Sequence, residues 1–581
     1  MSASNNNSNS SNVYEVNSIL EFHNTAYPDI TTYHPFTDDA VQYGKLDILI
    51  EPIQRRPSSV DSKYPYPITW DIVFSLDNSG SMSDKCKDNR TKMAHIIHTL
   101  SNITRLFSQK DTSAYCFNIY IQIFNTVVTK VLDFTQVTNE TLDDIIKRIE
   151  KIYPEGQTNL ITPINICKSL YRERSVQFPQ NKFLHIVLTD GEDNCNSEDL
   201  FDNTSIDLQY ASEFKSIFIG LGITHDCQKL SSFVCKNNDN EYYFIDKLEN
   251  SGIVYGEIIH NILNIQYDKV SISIENGLIY NWKTNDWTSR MDIGALYANT
   301  VRSFHVKSDN PTMVTGIISG ENISSSSASQ LDEFITLPGL VDIDSGIIDT
   351  VDLTQYIYRF IIQTILYKCM RLAVAEDYGV SFQRFNETPH NEFKKELAEL
   401  FKTMKELVKK NSETKNIFWN VLLDDIFIVY KTIHTPYFYP FSLSRYMSQG
   451  LQRAYSVTNI KELIEDIQYN IGRDSNYIHD IVRNKINNIN QTLYTYDTVR
   501  TLRTPTLCRE YTQAYDDYED IIDEDEDEIE GIVGYVGENG DILAETITEC
   551  LDDEIQHELS DNIDSPYMTQ KIRDVMRSVS N

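Results

Sequence analysis

The chain has 581 residues, 41% of them hydrophobic, and a formal net charge of −34 at pH 7. This length and apolar content predict two or three domains with real cores, while the acidic excess, without any stripe of Lys and Arg, argues against a nucleic-acid backbone as partner and favours a cation or a basic protein. Nine cysteines with no C-x-x-C pair match neither a disulfide framework nor a zinc module, so reduced thiols and a cytoplasmic location are expected.

Residues 1–32 open on "MSASNNNSNSSN" and are rich in Asn and Ser, which predicts a disordered leader. They carry neither the basic n-region nor the apolar h-region of a signal peptide. The Asn, Ile and Tyr bias suggests an AT-rich genome, such as that of a protist or a large DNA virus; for a viral protein the virion is the alternative location. "GKLDILIEP" at 44–52 alternates, with Leu46, Ile48 and Ile50 on one face of a strand. A Pro- and Ser-rich linker follows.

Between 69 and 264 strands and helices take turns. "TWDIVFSLD" is a near-continuous apolar run, as a parallel strand covered on both faces requires. Met93, Ile96, Ile97, Leu100, Ile103 and Phe107 then recur at helical spacing. "CFNIYIQIFNTVVTKVLDF" reads as a strand pair and "TLDDIIKRIEKI" as a helix, and "NKFLHIVLTDG", "FKSIFIGLG" and "NEYYFID" are further strands. The alternation predicts an α/β fold, a doubly wound and mostly parallel sheet with helices on both sides. Residues 265–350 change to short alternating segments such as "VRSFHVKS", an all-β module to which the strand at 44–52 is assigned as a sequence-distant member. The α/β domain is then an insertion in a β-sandwich module.

A helical region is expected over 352–498. Its most apolar run, "YIYRFIIQTILYKCMRLAV", carries Arg359, Lys368 and Arg371 and is read as an amphipathic or buried helix, with no membrane span. "FKKELAELFKTMKELV" puts Phe393, Leu397, Leu400, Met404 and Leu407 on one face. Residues 512–581 form an acidic, partly disordered tail whose run at 516–530 reads as a solvated face.

An α/β sheet gathers its loops at the carboxyl ends of its strands, where ligands bind. Asp77 ends one strand, followed by Ser79 and Ser81; Thr158 lies in a loop entering a helix; Asp190 ends another strand. Their convergence makes an all-oxygen set of the kind chosen by hard divalent cations, and with two carboxylates it suits Mg²⁺, with Mn²⁺ as a substitute. His95 and His98 sit beside the apolar stripe of their helix and lack a third ligand, so they are read as packing or solvated residues. His225 and Asp226 have no accompanying nucleophile and are read as a structural turn.

"DNSGS" at 77–81, Thr158 in "GQTN" and Asp190 in "TDGE" resemble the three parts of the metal-ion-dependent adhesion site of von Willebrand factor type A domains. The resemblance implies that Asp77, Ser79, Ser81, Thr158 and Asp190 hold the metal and that a partner's Asp or Glu completes its coordination. "FIGLGITHDCQKLSSF" and "IGALYANTVRSFHV" look like the late strand and helix, and the following β-module, of intracellular members. The expected function is that of a metal-dependent protein-interaction scaffold and not of an enzyme. The alternatives are a non-catalytic subunit of an enzyme complex such as a ubiquitin ligase, or a structural component of a large assembly or viral particle. The closely spaced Cys and His ligands of a RING zinc module, which a ligase of this architecture uses, are absent from the sequence.

Overall fold

The computed structural model describes residues 13–23, 41–53, 67–191, 214–322, 330–335, 351–377, 387–433, 438–454 and 565–580, apart from 87, 113, 223–224, 237–239, 246–247, 249–250, 412 and 414–415. Strands β1 (Val13–Phe22) and β2 (Gln42–Ile53) form an antiparallel ribbon. The next segment runs β3 (Ile68–Asp77), α1 (Lys92–Ser108), β4 (Tyr115–Phe124), β5 (Val128–Gln136), α2 (Leu142–Ile149), α3 (Ile161–Gln177) and β6 (Lys182–Thr189). It ends with β7 (Lys215–Leu221), α4 (Cys227–Lys236), β8 (Glu241–Ile245) and α5 (Ser251–Asn264).

These make a mixed six-stranded sheet in the order β5-β4-β3-β6-β7-β8, a Rossmann-like arrangement in which only the β4–β5 pairing is antiparallel. Ile72, Val73, Phe74 and Leu76 of β3 are all fully buried, because helices cover both faces of the sheet and neither face of the strand meets water. Thr91 caps α1 by accepting the amide of Ala94 at 3.1 Å.

Seven short strands follow: β9 (Ile265–Glu275), β10 (Leu278–Asn281), β11 (Asp286–Thr288), β12 (Arg290–Tyr297), β13 (Val301–Ser308), β14 (Thr315–Asn322) and β15 (Gln330–Phe334). They build two antiparallel sheets, β1-β2-β13-β10-β11 and β12-β9-β14-β15. Strand β2 thus lies between β1 and β13, with Leu46 opposite Phe304. Both sheets feed one apolar core, which joins Leu20, Leu46 and Phe304 to Ile272 and Ile318.

Helices α6 (Thr354–Asp377), α7 (Glu387–Lys410), α8 (Ile417–Thr432) and α9 (Phe438–Leu451) extend that core. None of the described helices is long and apolar enough to cross a membrane. Arg359 of α6 is fully buried and donates to the carbonyls of Ser303 at 3.1 Å and Gln449 at 2.8 Å, tying two helices to β13. Asp425 of α8 pairs with Arg445 of α9 in the interior. Gly450 lies against the indole of Trp282, where a Cβ would come within 2.2 Å of the ring. On α7 the buried face is Phe393, Leu397, Leu400, Phe401, Met404 and Val408; Leu407 is only half-buried, since the stripe follows the i+4 step from Met404.

One expectation needs correction. Residues 13–22 are not disordered leader: they form β1, in which Val16, Ser18, Leu20 and Phe22 face inward at the strand period of two. The Asn and Ser of the first dozen residues dilute that signal when composition is averaged over 1–32. Of the tail expected to be partly disordered over 512–581, the end is α10 (Gln570–Ser580), whose Ile572, Met576 and Val579 enter the core beneath α1 and α5. The acidic run at 516–530 and the part of the helical region beyond 454 lie outside the described residues.

Helix α10 approaches α5 backbone to backbone. Gly252 and Gly256 make room: a Cβ on Gly256 would stand 2.5 Å from Cα of Met576, and one on Gly252 2.6 Å from Cα of Ser580. Gly256→Val should therefore push α10 off its seat at a cost of about 1–3 kcal/mol, the usual size of overpacking. The expected readout is faster hydrogen exchange and earlier proteolysis at 570–580 than in wild type; equal protection there would show that the close approach carries no constraint.

Candidate metal centre

The strand-end loops are laced together by backbone bonds before any side chain acts. The amide of Asn78 donates to the carbonyl of Phe124 at 2.9 Å, that of Glu155 to Asn78 at 2.6 Å, and that of Gly80 to Gly156 at 3.0 Å. Gly156 has φ of +78°, a left-handed conformation that glycine adopts without a steric penalty. These bonds hold the loop after β3, the β4–β5 turn and the loop carrying Thr158 in one place.

Asp77 ends β3 and is fully buried. Its Oδ1 accepts the amide of Ser79 at 2.8 Å and its Oδ2 the hydroxyl of Thr189 at 2.5 Å. A 3-10 turn over Gly80–Ser83 brings the Ser81 hydroxyl 3.0 Å from that of Ser79, and Ser81 donates to Oδ1 of Asp190 at 2.7 Å. Asp190 follows β6 and is also buried. Thr158 is buried beside it: a Cβ on Gly191 would come within 2.7 Å of the Thr158 hydroxyl. Asp77, Ser79, Ser81 and Asp190 are thus bonded into one chain, with Thr158 packed against its end.

Burial pushes the carboxyl of Asp77 up to about 6; bonds from Ser79 and Thr189 oppose that rise, and Asp190 adds to it. A buried carboxylate with neutral donors alone is under-compensated. Two carboxylates and three hydroxyls fit a hard divalent cation, the all-oxygen environment such ions select. Among the described residues no three His, Cys, Asp or Glu side chains gather as a metal cluster, so a site of this chemistry has to draw on hydroxyls.

Sequence reasoning missed Thr189 and Lys92. Thr189 steadies Asp77 from the neighbouring strand, and β3–β6 pairing is a tertiary fact. Lys92 donates to Oδ2 of Asp190 at 2.6 Å and lies 3.3 Å from Asp84. A lysine in the first turn of a helix opposes the macrodipole, and that unfavourable placement was the available signal that it answers an acid. His95 is buried with Nε2 3.1 Å from Asp88, and His98 lies 3.3 Å from the carbonyl of Ser580. His225 is buried between the carbonyl of Gly222, at 2.5 Å, and the Tyr242 hydroxyl, at 2.7 Å, while Asp226 accepts the amide of Lys229 at 2.9 Å. Burial pushes the His225 imidazole down to about 4.

The raised carboxyl of Asp77 has a definite sign in stability. The folded chain holds that proton up to about pH 6, the unfolded chain only to about 3.8, so the metal-free protein loses stability as pH rises through this window. Asp77→Asn removes the titration. In metal-free buffer the variant should melt with wild type near pH 4 and above it at pH 7.5, by on the order of 3 kcal/mol for a shift of about two units, and Mg²⁺ should stabilise wild type alone. Parallel pH profiles for the two proteins would contradict this account.

A family model described as von Willebrand factor type A domain matches residues 71–256. No curated protein matches the sequence significantly. Among solved structures the chain is similar to a von Willebrand factor type A protein from Catenulispora acidiphila, at 12% identity over 71% of this chain and 91% of that one, with a TM-score of 0.42. It is also similar to proximal thread matrix protein 1 from the mussel byssus (16% identity, 33% and 46% covered, TM-score 0.26) and to the pilus adhesin SpaC from Lactobacillus rhamnosus GG (12%, 55% and 47%, TM-score 0.28). The chain spans less than half the length of the last two. The β3-to-α5 sheet, the oxygen-lined strand ends and the family match agree: residues 71–256 are a von Willebrand factor type A domain.

Proposed function

We propose that the protein is a non-catalytic, metal-dependent interaction scaffold. Asp77, Ser79, Ser81, Thr158 and Asp190 would hold one Mg²⁺, or Mn²⁺ in its place, and an Asp or Glu of a protein partner would complete the coordination. The observation that carries this reading is the bond from Ser81 to Asp190, which joins the carboxyl ends of two neighbouring strands through oxygens alone. Von Willebrand factor type A domains generally mediate protein–protein interaction, which supports a protein partner. When bound, the metal supplies a positive centre able to take one more oxygen ligand. The protein's own part is to keep Asp77 ionised and oriented, through the Ser79 amide and the Thr189 hydroxyl.

We further propose that this domain is inserted in a β-sandwich, a reading supported by the pairing of β2 with β13 on the far side of the insertion. A cytoplasmic setting is proposed as well, supported by Cys116, Cys167, Cys227 and Cys369, which are thiols and not disulfides among the described residues.

Titration calorimetry tests the site directly. One Mg²⁺ per chain is expected, with Asp77→Ala abolishing binding and Thr189→Val, which removes a bond to a ligand, weakening it about 10–100-fold. Affinity capture with wild type and Asp77→Ala, each in Mg²⁺ and in chelator, then tests the role. A partner lost in both the variant and the chelator supports it; equal metal affinity in wild type and Asp77→Ala refutes the site.

A further inference from the structure

A cavity of about 670 Å³ opens at the opposite end of the sheet from the metal centre, where β3, β6, β7 and β8 begin. Three parts of the molecule meet there: the α/β domain, the β-module through β12 and β13, and the segments flanking α9 and α10. Its size is that of a small-molecule site.

The polar atoms around it are unequally satisfied. Its carboxylates are answered from within the protein. Asp71 accepts from Arg174 at 2.8 and 2.9 Å and from Asn181 at 3.0 Å. Glu241 pairs with Lys215, Asp268 accepts from Lys182 at 3.2 Å, and Glu257 accepts the amide of Ala454 at 2.7 Å. The unanswered atoms are donors. Nε1 of Trp70, Nε of Arg302, Nε of Arg453 and the hydroxyl of Tyr567 are each enclosed without an acceptor among the described residues, and all four residues line this cavity.

The two arginines are 8% and 5% exposed, so their charge is held out of water. Arg453 has a carbonyl acceptor, that of Tyr242 at 2.6 Å, lies 3.8 Å from the Glu241 carboxylate that Lys215 also pairs, and stacks on Tyr243 with its guanidinium carbon 3.6 Å from the ring centre. Arg302 reaches only the carbonyls of Ile293 and Ala295, at 3.3 and 3.4 Å, and has no ion-pair partner among the described residues. Burial lowers the proton affinity of its guanidinium. Unmatched buried donors cost free energy that an acceptor-rich guest removes.

We propose that this cavity is a binding site for a small anion with several acceptor oxygens, a carboxylate or a phosphate, held by Arg302, Arg453, Trp70 and Tyr567. The reading is independent of the metal centre. Thermal unfolding of the metal-free full chain is to be followed with citrate, inorganic phosphate and AMP, each against sodium chloride at matched ionic strength; the first two separate carboxylate from phosphate recognition. At least one should raise the melting temperature in a saturable way. Calorimetry with that anion should show binding about tenfold or more weaker in Arg302→Met, and weaker in Tyr567→Phe, which deletes one donor without changing shape. Asp77→Asn should bind the anion as wild type does. If no probe stabilises the chain, or if the one that does binds Tyr567→Phe and Arg302→Met as tightly as wild type, the proposal fails. Should Arg302→Met not fold, Tyr567→Phe alone decides.

Discussion

Strand β3 is hydrogen-bonded along its length by two parallel neighbours, β4 on one side and β6 on the other. Parallel pairing on both edges forces helices over both faces, and that removes water from every side chain of the strand after its first residues. It also sets the ends of β3 and β6 side by side, since Leu76 pairs with Leu188 and each strand then stops within two residues. Asp77 and Asp190 are thereby placed next to each other in a dry setting. Two buried carboxylates so close repel and lose hydration, and the loops beyond them consist of what offsets this: the Ser79 amide, the Ser81 and Thr189 hydroxyls and the Lys92 ammonium.

How far this could be read from the sequence depends on the range of the force involved. Local patterns were legible: the apolar run of β3, the helical spacing from Met93 to Phe107, and the oxygen-bearing residues of the loops that follow β3 and β6 and that enter α3. Thr189 and Lys92 were not, because each acts on a residue brought near by sheet pairing or by the docking of α1. Strand β1 was hidden by the Asn- and Ser-rich residues before it, although Val16, Leu20 and Phe22 carry the alternation. Gly252 and Gly256 look like ordinary helix weaknesses until α10 is seen lying across them.

Electrostatics inside the protein sort by partner. The Arg445–Asp425 pair is buried with both charges met, and Arg174 meets Asp71 through two nitrogens. Such pairs add register more than stability, since desolvation offsets most of the attraction. Arg359 is different, for it spends its donors on main-chain carbonyls of β13 and α9 and so fixes the relative position of sheet and helix. Burying a guanidinium that has no carboxylate partner among the described residues is costly, and the neutral carbonyls recover only part of that cost.

The seat of α10 also bears on the order of assembly. Asn102 of α1 donates to the carbonyl of Val579, a contact spanning 477 residues of chain. At ~5–20 residues per second of synthesis, the α1–α5 face waits for its cover for roughly tens of seconds. During that interval Leu100, Ile103 and Ile258 stand without Met576 and Val579 over them. The α/β domain therefore matures late despite its early place in the chain, and its exposure to chaperones is set by the length of everything translated between its first helix and its last.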